Sequence, residues 1–180
     1  MFIVSFATDD DDYRHYADRL RGQCEEHGMD HDIRLIEPWG TYRAHCAYKP
    51  TYILDRLVEH ERTVLWIDVD SVISGPIRLE GSWDVGWCDN PVKRIRPRRA
   101  NVRLNVTGGA MAFQNTPEAM KFLRMWKMRC DNRRPGSPED HKSFDKLVKS
   151  GEGFVGADIT NRLRGRVVFW GNHGTRSLPA

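Results

Sequence analysis

The sequence lacks any long apolar run. Its 180 residues contain no stretch that approaches the roughly 20 apolar residues of a membrane-spanning helix. The apolar start, residues 1–6, is too short for a signal peptide and has no basic flank. Internal repeats and low-complexity tracts are also missing. These absences predict a soluble, cytoplasmic protein with no membrane partner, which would be in the host cytoplasm if the protein is viral.

Cysteine pairs are missing as well. Four cysteines lie at wide intervals with no C-x-x-C pair among them: Cys24, Cys46, Cys88 and Cys130. This spacing argues against a zinc cluster and favours small buried side chains in a reducing compartment. The chain is 39% hydrophobic and 29% charged, as in globular proteins, and its length suits one domain over residues 1–180.

Strong net charge is absent, but positive charge is concentrated locally. The formal net charge is only +3, yet residues 93–103 hold six cations, Lys93, Arg94, Arg96, Arg98, Arg99 and Arg103. Pro97 and the lack of apolar periodicity predict a loop there. Such a loop could bind nucleotide phosphates or a polyanionic acceptor such as DNA, and a solvated surface is the alternative.

Hydrophobic periodicity predicts that strands alternate with helices. The apolar residues indicate strands at residues 2–6, 32–36, 64–67, 84–88 and 109–113. Helix signals indicate one helix from the acidic turn at residues 9–12 to Gly28, and others starting at Pro50, Thr116-Pro117 and Ser137-Pro138, the last ending at Gly151. This βαβ pattern predicts a three-layer α/β/α domain with a mostly parallel sheet.

Two carboxylates follow the most apolar of these strands. Asp68 and Asp70 come directly after the unbroken run Val64–Ile67, which is typical of a buried parallel strand. Ligand sites of open α/β sheets lie at the carboxyl ends of such strands, and carboxylate oxygens suit magnesium or manganese. Asp residues at a strand end also form turns with their own backbone, which is the structural alternative.

Several motifs, in their order and spacing, resemble those of GT-A-fold nucleotide-diphospho-sugar transferases. The resemblance spans nearly the whole chain. Its parts are Tyr48-Lys49-Pro50, Val-Leu-Trp-Ile-Asp68-Val-Asp70, Pro76, the segment from Gly108-Gly109 to Asn115-Thr-Pro117, Trp126 and His173-Gly174. The resemblance implies a Rossmann-like GT-A domain, a D-x-D motif and a metal-dependent glycosyltransferase that uses a nucleotide-diphosphate sugar.

The same resemblance implies roles for individual residues. Asp70 and His173 would bind manganese or magnesium, and Asp68 would bind the metal or the donor ribose. The other expected donor-binding residues are Ala7 and Thr8 at the base, Arg43 and Lys49 at the nucleotide or phosphates, and Gly108 and Gly109 at the sugar. Lys49 could instead be plain surface, His173 an ordinary loop histidine, and the glycine pair a tight bend.

Asp140 is the candidate catalytic residue. It matches a position where these families often place an acidic residue near the donor sugar or the acceptor hydroxyl, in a D-Q or D-D pair. Here the pair is Asp140-His141. A general base in an inverting transfer would have to reach the acceptor hydroxyl, whereas a retaining transfer needs no such base. A helix-capping role at the spacing Ser137 to Asp140 is equally open.

The short chain and the basic loop together suggest a large anionic acceptor. We therefore expect a small phage-like enzyme that adds sugar to a modified base in DNA. Two other functions stay open. A haloacid-dehalogenase-like phosphatase would use Asp68 as nucleophile and Asp70 as acid. It would also need a later Lys and a second acidic pair, whereas the later acids Asp140 and Asp158 are isolated. A non-catalytic nucleic-acid-binding protein would depend on the basic loop alone.

Overall fold

The computed structural model describes residues 1–89, 106–132, 140–164 and 166–168. Its strands are β1 (Phe2–Thr8), β2 (His31–Ile36), β3 (Val64–Ile67), β4 (Val72–Ile73), β5 (Val85–Asp89), β6 (Val106–Phe113), β7 (Gly156–Asp158) and β8 (Val167–Val168). Its helices are α1 (Asp11–Glu26), α2 (Tyr42–His60), α3 (Pro117–Asp131), α4 (Asp140–Ser150) and α5 (Thr160–Leu163).

One six-stranded sheet forms the centre of the molecule, in the order β2-β1-β3-β6-β5-β7, and β4 pairs with β8 in a small second sheet. Strands β2 and β3 run parallel to β1, and β7 runs parallel to β5. Strand β6 is antiparallel to both of its neighbours, β3 and β5. Every strand of the large sheet except β6 therefore points the same way, which confirms the prediction of a mostly parallel sheet.

Two hydrophobic cores cover the two faces of this sheet. Leu65 and Ile67 face a core that includes α1 and α5, whereas Val64 and Trp66 face a core built with α2, α3 and α4. All four side chains of β3 are buried because both faces of the strand are covered. The predicted three-layer α/β/α arrangement is confirmed, and Asp68 and Asp70 directly follow β3, an inner strand of the sheet.

Helix starts follow local capping chemistry. The Asp10 side chain accepts a hydrogen bond from the Tyr13 amide, and the Thr116 side chain accepts one from the Ala119 amide. Both caps satisfy amides that have no partner inside the helix. The predicted start of α3 at Thr116-Pro117 is confirmed.

The predicted start of α2 at Pro50 is wrong. The helix begins at Tyr42, with Thr41 as its N-cap, and Pro50 lies inside it. Proline favours the first turn of a helix, which is why Pro50 suggested a boundary. The helix begins eight residues earlier because the Thr41 side chain caps it there, accepting a hydrogen bond from the Ala44 amide.

Some predictions fall on residues outside the described ranges. These are the basic loop at residues 93–103, the helix start at Ser137-Pro138, and His173. Among the helices that the structure describes, none is long and apolar enough to cross a membrane.

Candidate active site

The two acidic residues of the D-x-D motif lie at the carboxyl end of β3. The Asp68 amide donates to the Gly109 carbonyl at 2.9 Å, and the Asp68 carbonyl accepts from the Ser71 amide at 2.9 Å. The first bond joins the end of β3 to β6, and the second closes a tight turn around Asp70. The backbone therefore leaves the sheet here, so the two carboxylates can turn toward a common ligand.

The Asp68 carboxylate is oriented by two neighbours. Its Oδ1 accepts a hydrogen bond from Trp66 Nε1 at 2.8 Å and another from Lys49 Nζ at 2.9 Å. Burial alone would raise the pKa of Asp68, but the charges of Lys49 and His141 and these hydrogen bonds hold it below its usual range. Asp68 is therefore an ionised carboxylate with one oxygen engaged by the protein.

Lys49 lies between two carboxylates. Its Nζ is 2.9 Å from Asp68 Oδ1 and 3.2 Å from Asp140 Oδ2, and the residue is only 5% exposed. Burial by itself would lower the pKa of Lys49, but the charges of Asp68 and Asp140 raise it above its usual value. Lys49 stays charged at neutral pH and links α2, β3 and α4 at the site, so the plain-surface alternative for it is wrong.

Asp140 is buried at the start of α4. It is 5% exposed, and His141 Nε2 lies 3.5 Å from Asp140 Oδ2. The Asp140 carbonyl accepts a hydrogen bond from Trp126 Nε1 at 2.9 Å, which ties α4 to α3. Asp140 and Asp68 thus both contact Lys49, although 72 positions of sequence separate them. Its role as a catalytic base stays a prediction.

Asp70 has a different environment from Asp68. Helix α1 holds the backbone beside it, since Arg19 Nη2 donates to the Asp70 carbonyl at 2.9 Å and to the Ser71 carbonyl at 3.1 Å. Burial and the neighbouring charge of Asp68 raise the pKa of the Asp70 carboxyl to about 6. Two negative charges are therefore held close together, an arrangement that a divalent cation would stabilise.

This raised pKa predicts a pH effect on stability. The native state holds the Asp70 proton more tightly than the unfolded chain, so Asp70 lowers stability as the pH rises through about 6. Asp70→Asn removes that ionisation. The free energy of unfolding of the variant minus that of the wild type is therefore expected to increase by about 1–2 kcal/mol when the pH is raised from 4 to 7.5, allowing for partial screening.

Urea unfolding at both pH values, without divalent metal, measures this gain. Asp55→Asn is the matched control, because Asp55 is exposed on α2 and makes no ion pair within the described ranges. The control is expected to stay within about 0.5 kcal/mol of the wild type at both pH values. A stability difference between Asp70→Asn and the wild type that does not change with pH would contradict the expectation.

The other predicted donor-binding residues lie at or near the same sheet edge. Ala7 and Thr8 end β1, which pairs in parallel with β3 through Val4 and Trp66, so they reach the edge where Asp68 lies. Gly108 and Gly109 are both inside β6, and Gly109 bonds directly to Asp68. Arg43 is exposed in the first turn of α2. Their contacts with a donor remain predictions.

Sequence reasoning missed some of the residues that shape the site. The missed residues are Trp66, which orients Asp68, and Arg19, which holds the turn. Trp66 and Asp68 are two residues apart at the end of a strand and so share a face, a signal that could have identified Trp66. Arg19 has no such signal, because its contact with the Asp70 carbonyl spans 51 positions.

Aromatic side chains lie where β2 leads into α2. The Trp39 and His45 rings stack with centroids 4.5 Å apart, and Tyr48 meets Trp39 edge-on at 5.2 Å. Tyr48 also packs against Phe6 of β1 at 5.7 Å. This group extends the buried aromatic core toward the carboxyl edge of the sheet, with Trp39 still 42% exposed.

The donor set at the D-x-D motif is compatible with a hard divalent cation. Asp68 and Asp70 supply carboxylate oxygens, and within the described ranges no hydrogen bond is made to Asp68 Oδ2. Considering only the described residues, no group of three His, Cys, Asp or Glu side chains could hold a metal. Magnesium commonly binds through one or two carboxylates plus water and phosphate oxygens, so two protein ligands suffice for it.

Asp158 is not part of this cluster. It lies on β7, three strands away from β3 in the sheet, which is about 14 Å at the usual strand spacing. Its Oδ1 accepts a hydrogen bond from the Thr160 amide at 2.8 Å. Of Asp140 and Asp158, only Asp140 contacts the same lysine as Asp68.

The comparisons with known proteins concern the fold. No protein-family model matches the chain, and no curated protein matches it either. The structure is similar to the crystal structure of a glycosyltransferase involved in the glycosylation of the major capsid of PBCV-1. The TM-score is 0.64 at 14% sequence identity, over 87% of this chain and 80% of that chain. The two proteins share a Rossmann-like α/β fold.

Proposed function

We propose that this protein is a glycosyltransferase that moves a sugar from a nucleotide-diphosphate sugar to a hydroxyl acceptor. The observation that carries the proposal is the Asp68/Asp70 pair at the carboxyl end of a central strand, in a fold shared with a glycosyltransferase. In α/β sheets of this kind, ligands bind at that edge. The proposed donor site is therefore the edge formed by the ends of β1 and β3 and the start of β6.

The proposal includes a divalent metal, manganese or magnesium. Asp70 and Asp68 would hold it together with His173, which lies outside the described residues. When bound, the metal would act as a Lewis acid that stabilises the negative charge growing on the leaving diphosphate. The like-charged carboxylates support this assignment, because a cation would lower their mutual repulsion.

The protein's own residues would do the positioning. Lys49 and Trp66 hold Asp68 in one orientation through hydrogen bonds of 2.9 and 2.8 Å, so the carboxylate needs little rearrangement when it binds a ligand. Lys49 also fixes Asp140, which would contact the donor sugar or the acceptor hydroxyl. Because Asp140 is 95% buried, a positioning role through Lys49 is supported more directly than proton abstraction.

A modified base in DNA is the proposed acceptor. The support for it is the basic loop with six cations at residues 93–103, which lies outside the described residues. Cationic loops bind the phosphate backbone irrespective of sequence, so this loop would retain DNA near the donor site.

Thermal melting with manganese and a panel of nucleotide sugars tests the donor site. A donor present at a hundred times its dissociation constant is expected to stabilise the wild type by about 2.7 kcal/mol. Asp70→Asn is expected to lose this stabilisation, whereas the surface control Asp55→Asn is expected to keep it.

Other outcomes distinguish the alternatives. If no nucleotide sugar raises the melting temperature in a metal-dependent way, the transferase proposal fails. Trapping of an aspartyl-phosphate analogue with beryllium fluoride at Asp68 would then favour the phosphatase. Metal-independent DNA binding that survives Asp68→Asn and Asp70→Asn would favour the non-catalytic protein.

A further inference from the structure

An open polar depression, referred to as the arginine cavity, lies on the protein surface, and all the side chains that line it are exposed. Its volume is about 410 Å³, and it is lined by Arg78, Glu80, Asn161, Arg162, Arg164 and Arg166. Arg78 and Glu80 come from the segment between β4 and β5, and the others lie on α5 or between α5 and β8. Distant parts of the chain thus bring four guanidinium cations together with one carboxylate.

Two of the arginines are held in place by backbone carbonyls. Arg162 Nη1 donates to the Glu80 carbonyl, and Arg166 Nη1 donates to the Pro76 carbonyl. Each guanidinium has five N–H donors, so these bonds fix the side chain and leave other donors for a ligand. Two of the four guanidiniums therefore have a backbone carbonyl as partner.

The other two arginines have no such anchors. Within the described ranges, neither Arg78 nor Arg164 makes an ion pair or a side-chain hydrogen bond, and Glu80 makes no ion pair with any of the four arginines. Four positive charges around one depression, with a single carboxylate among them, favour an anionic ligand there. The planar fork of arginine matches phosphate oxygens in pairs.

One side of the arginine cavity borders β4, the strand that follows the acidic pair. Ile73 pairs with Val167, and the Ser74 amide donates to the Arg166 carbonyl at 2.8 Å. Ser74 is four residues after Asp70, so its Cα lies within about 14 Å of the Asp70 Cα even in a fully extended chain. The Arg166 side of the cavity is therefore near the acidic pair in the chain, whereas the Glu80 side lies toward the amino-terminal edge of the sheet, where Gln114 Nε2 donates to the Gly81 carbonyl at 2.8 Å.

From this convergence of four arginines we propose that the cavity is a phosphate-binding site. Its ligand would be the phosphodiester backbone of a nucleic-acid strand or a free phosphate compound. If the ligand is a nucleic-acid strand, the site would hold an acceptor. Only this interpretation rests on the proposed glycosyltransferase function. Binding at the cavity itself requires neither the donor nor the metal, so it can be measured without them.

Binding of a fluorescein-labelled 12-nucleotide single strand, followed by anisotropy without metal or nucleotide sugar, tests the site. The double variant Arg78→Gln/Arg164→Gln is expected to weaken binding roughly tenfold. The slope of log affinity against log salt concentration should become less steep by about 1.4, as expected for two lost phosphate contacts. The fold should persist, because both side chains are exposed and unpaired within the described ranges.

Arg124→Gln/Arg129→Gln is the matched control. It removes the same charge from exposed positions on α3, which packs on the opposite face of the sheet from α5. This control is expected to bind within about twofold of the wild type. Equal weakening in the two double variants would mean that only net charge matters, and it would overturn the proposed site.

A second arm identifies the source of the phosphate. The wild type and the same two double variants are each titrated with pyrophosphate in a calorimeter. A loss confined to the cavity variant, for the strand and for pyrophosphate, supports a site that takes nucleic-acid phosphates. A loss for pyrophosphate alone supports a site for a free phosphate compound. If the cavity variant binds both probes as the wild type does, the proposal is overturned, whatever the outcome of the donor experiment.

Discussion

Lys49→Met is expected to lower the free energy of unfolding by about 3–5 kcal/mol, because removing one member of a buried ion pair leaves uncompensated charge. Lys49 lies 2.9 Å from an Asp68 oxygen and 3.2 Å from an Asp140 oxygen, and Asp140 is 5% exposed. Methionine retains most of the side-chain volume, so the loss would come from electrostatics and hydrogen bonding more than from a cavity.

Urea unfolding at neutral pH measures the effect. Lys146→Met is the control, because Lys146 is exposed on α4 and makes no ion pair within the described ranges. It is expected to change stability by no more than about 0.5 kcal/mol. The triple variant Lys49→Met/Asp68→Asn/Asp140→Asn removes all three charges and should recover a large part of the loss. Equal stability of the two methionine variants would refute the structural role assigned to Lys49.

Trp126→Ala is expected to lower the free energy of unfolding by about 3–5 kcal/mol, as for other large core side chains. Trp126 is 0% exposed and packs edge-to-face on Phe144, with ring centroids 4.9 Å apart. Its indole N–H also donates to the Asp140 carbonyl at 2.9 Å. The substitution would therefore open a cavity between α3 and α4 and remove the hydrogen bond to Asp140, the first residue of α4.

Trp126→Phe separates these two contributions. It keeps an aromatic ring in the core but removes the hydrogen bond to Asp140, which is typically worth about 0.5–1.5 kcal/mol. Met128→Ala on the same helix is the exposed control, since Met128 is 54% exposed. In thermal and urea unfolding, Trp126→Ala should be the least stable of the three variants. A Trp126→Ala protein as stable as the Met128→Ala protein would contradict the packing described.

Local patterns predicted the main elements of the fold. The unbroken apolar run Val64–Ile67 identified β3 because a strand covered on both faces needs apolar residues at every position. Thr116-Pro117 identified the start of α3 because capping is a property of adjacent residues. The start of α2 was wrongly predicted at Pro50, because a proline can also lie inside a helix, and here Thr41 caps the helix well before it.

The short elements had no pattern from which to predict them. Strands β4 and β8 have two residues each, and β7 and α5 have three and four. Such segments contain too few residues for a period of 2 or 3.6 to be recognised. The three strands form because a neighbouring strand supplies hydrogen-bond partners, as when Ile73 pairs with Val167. This pairing also builds the arginine cavity, which has no counterpart in any contiguous stretch of sequence.

The sequence by itself determined the layered α/β architecture and the carboxylate pair at the end of β3, because both depend on residues close together in the chain. Only the tertiary structure decided what surrounds that pair. Lys49 joins Asp68 to Asp140 across α2, β3 and α4, and Arg19 of α1 holds the turn at Asp70. These contacts arise from the packing of both faces of the sheet, and hydrophobic burial brings such residues together whatever their separation in the sequence.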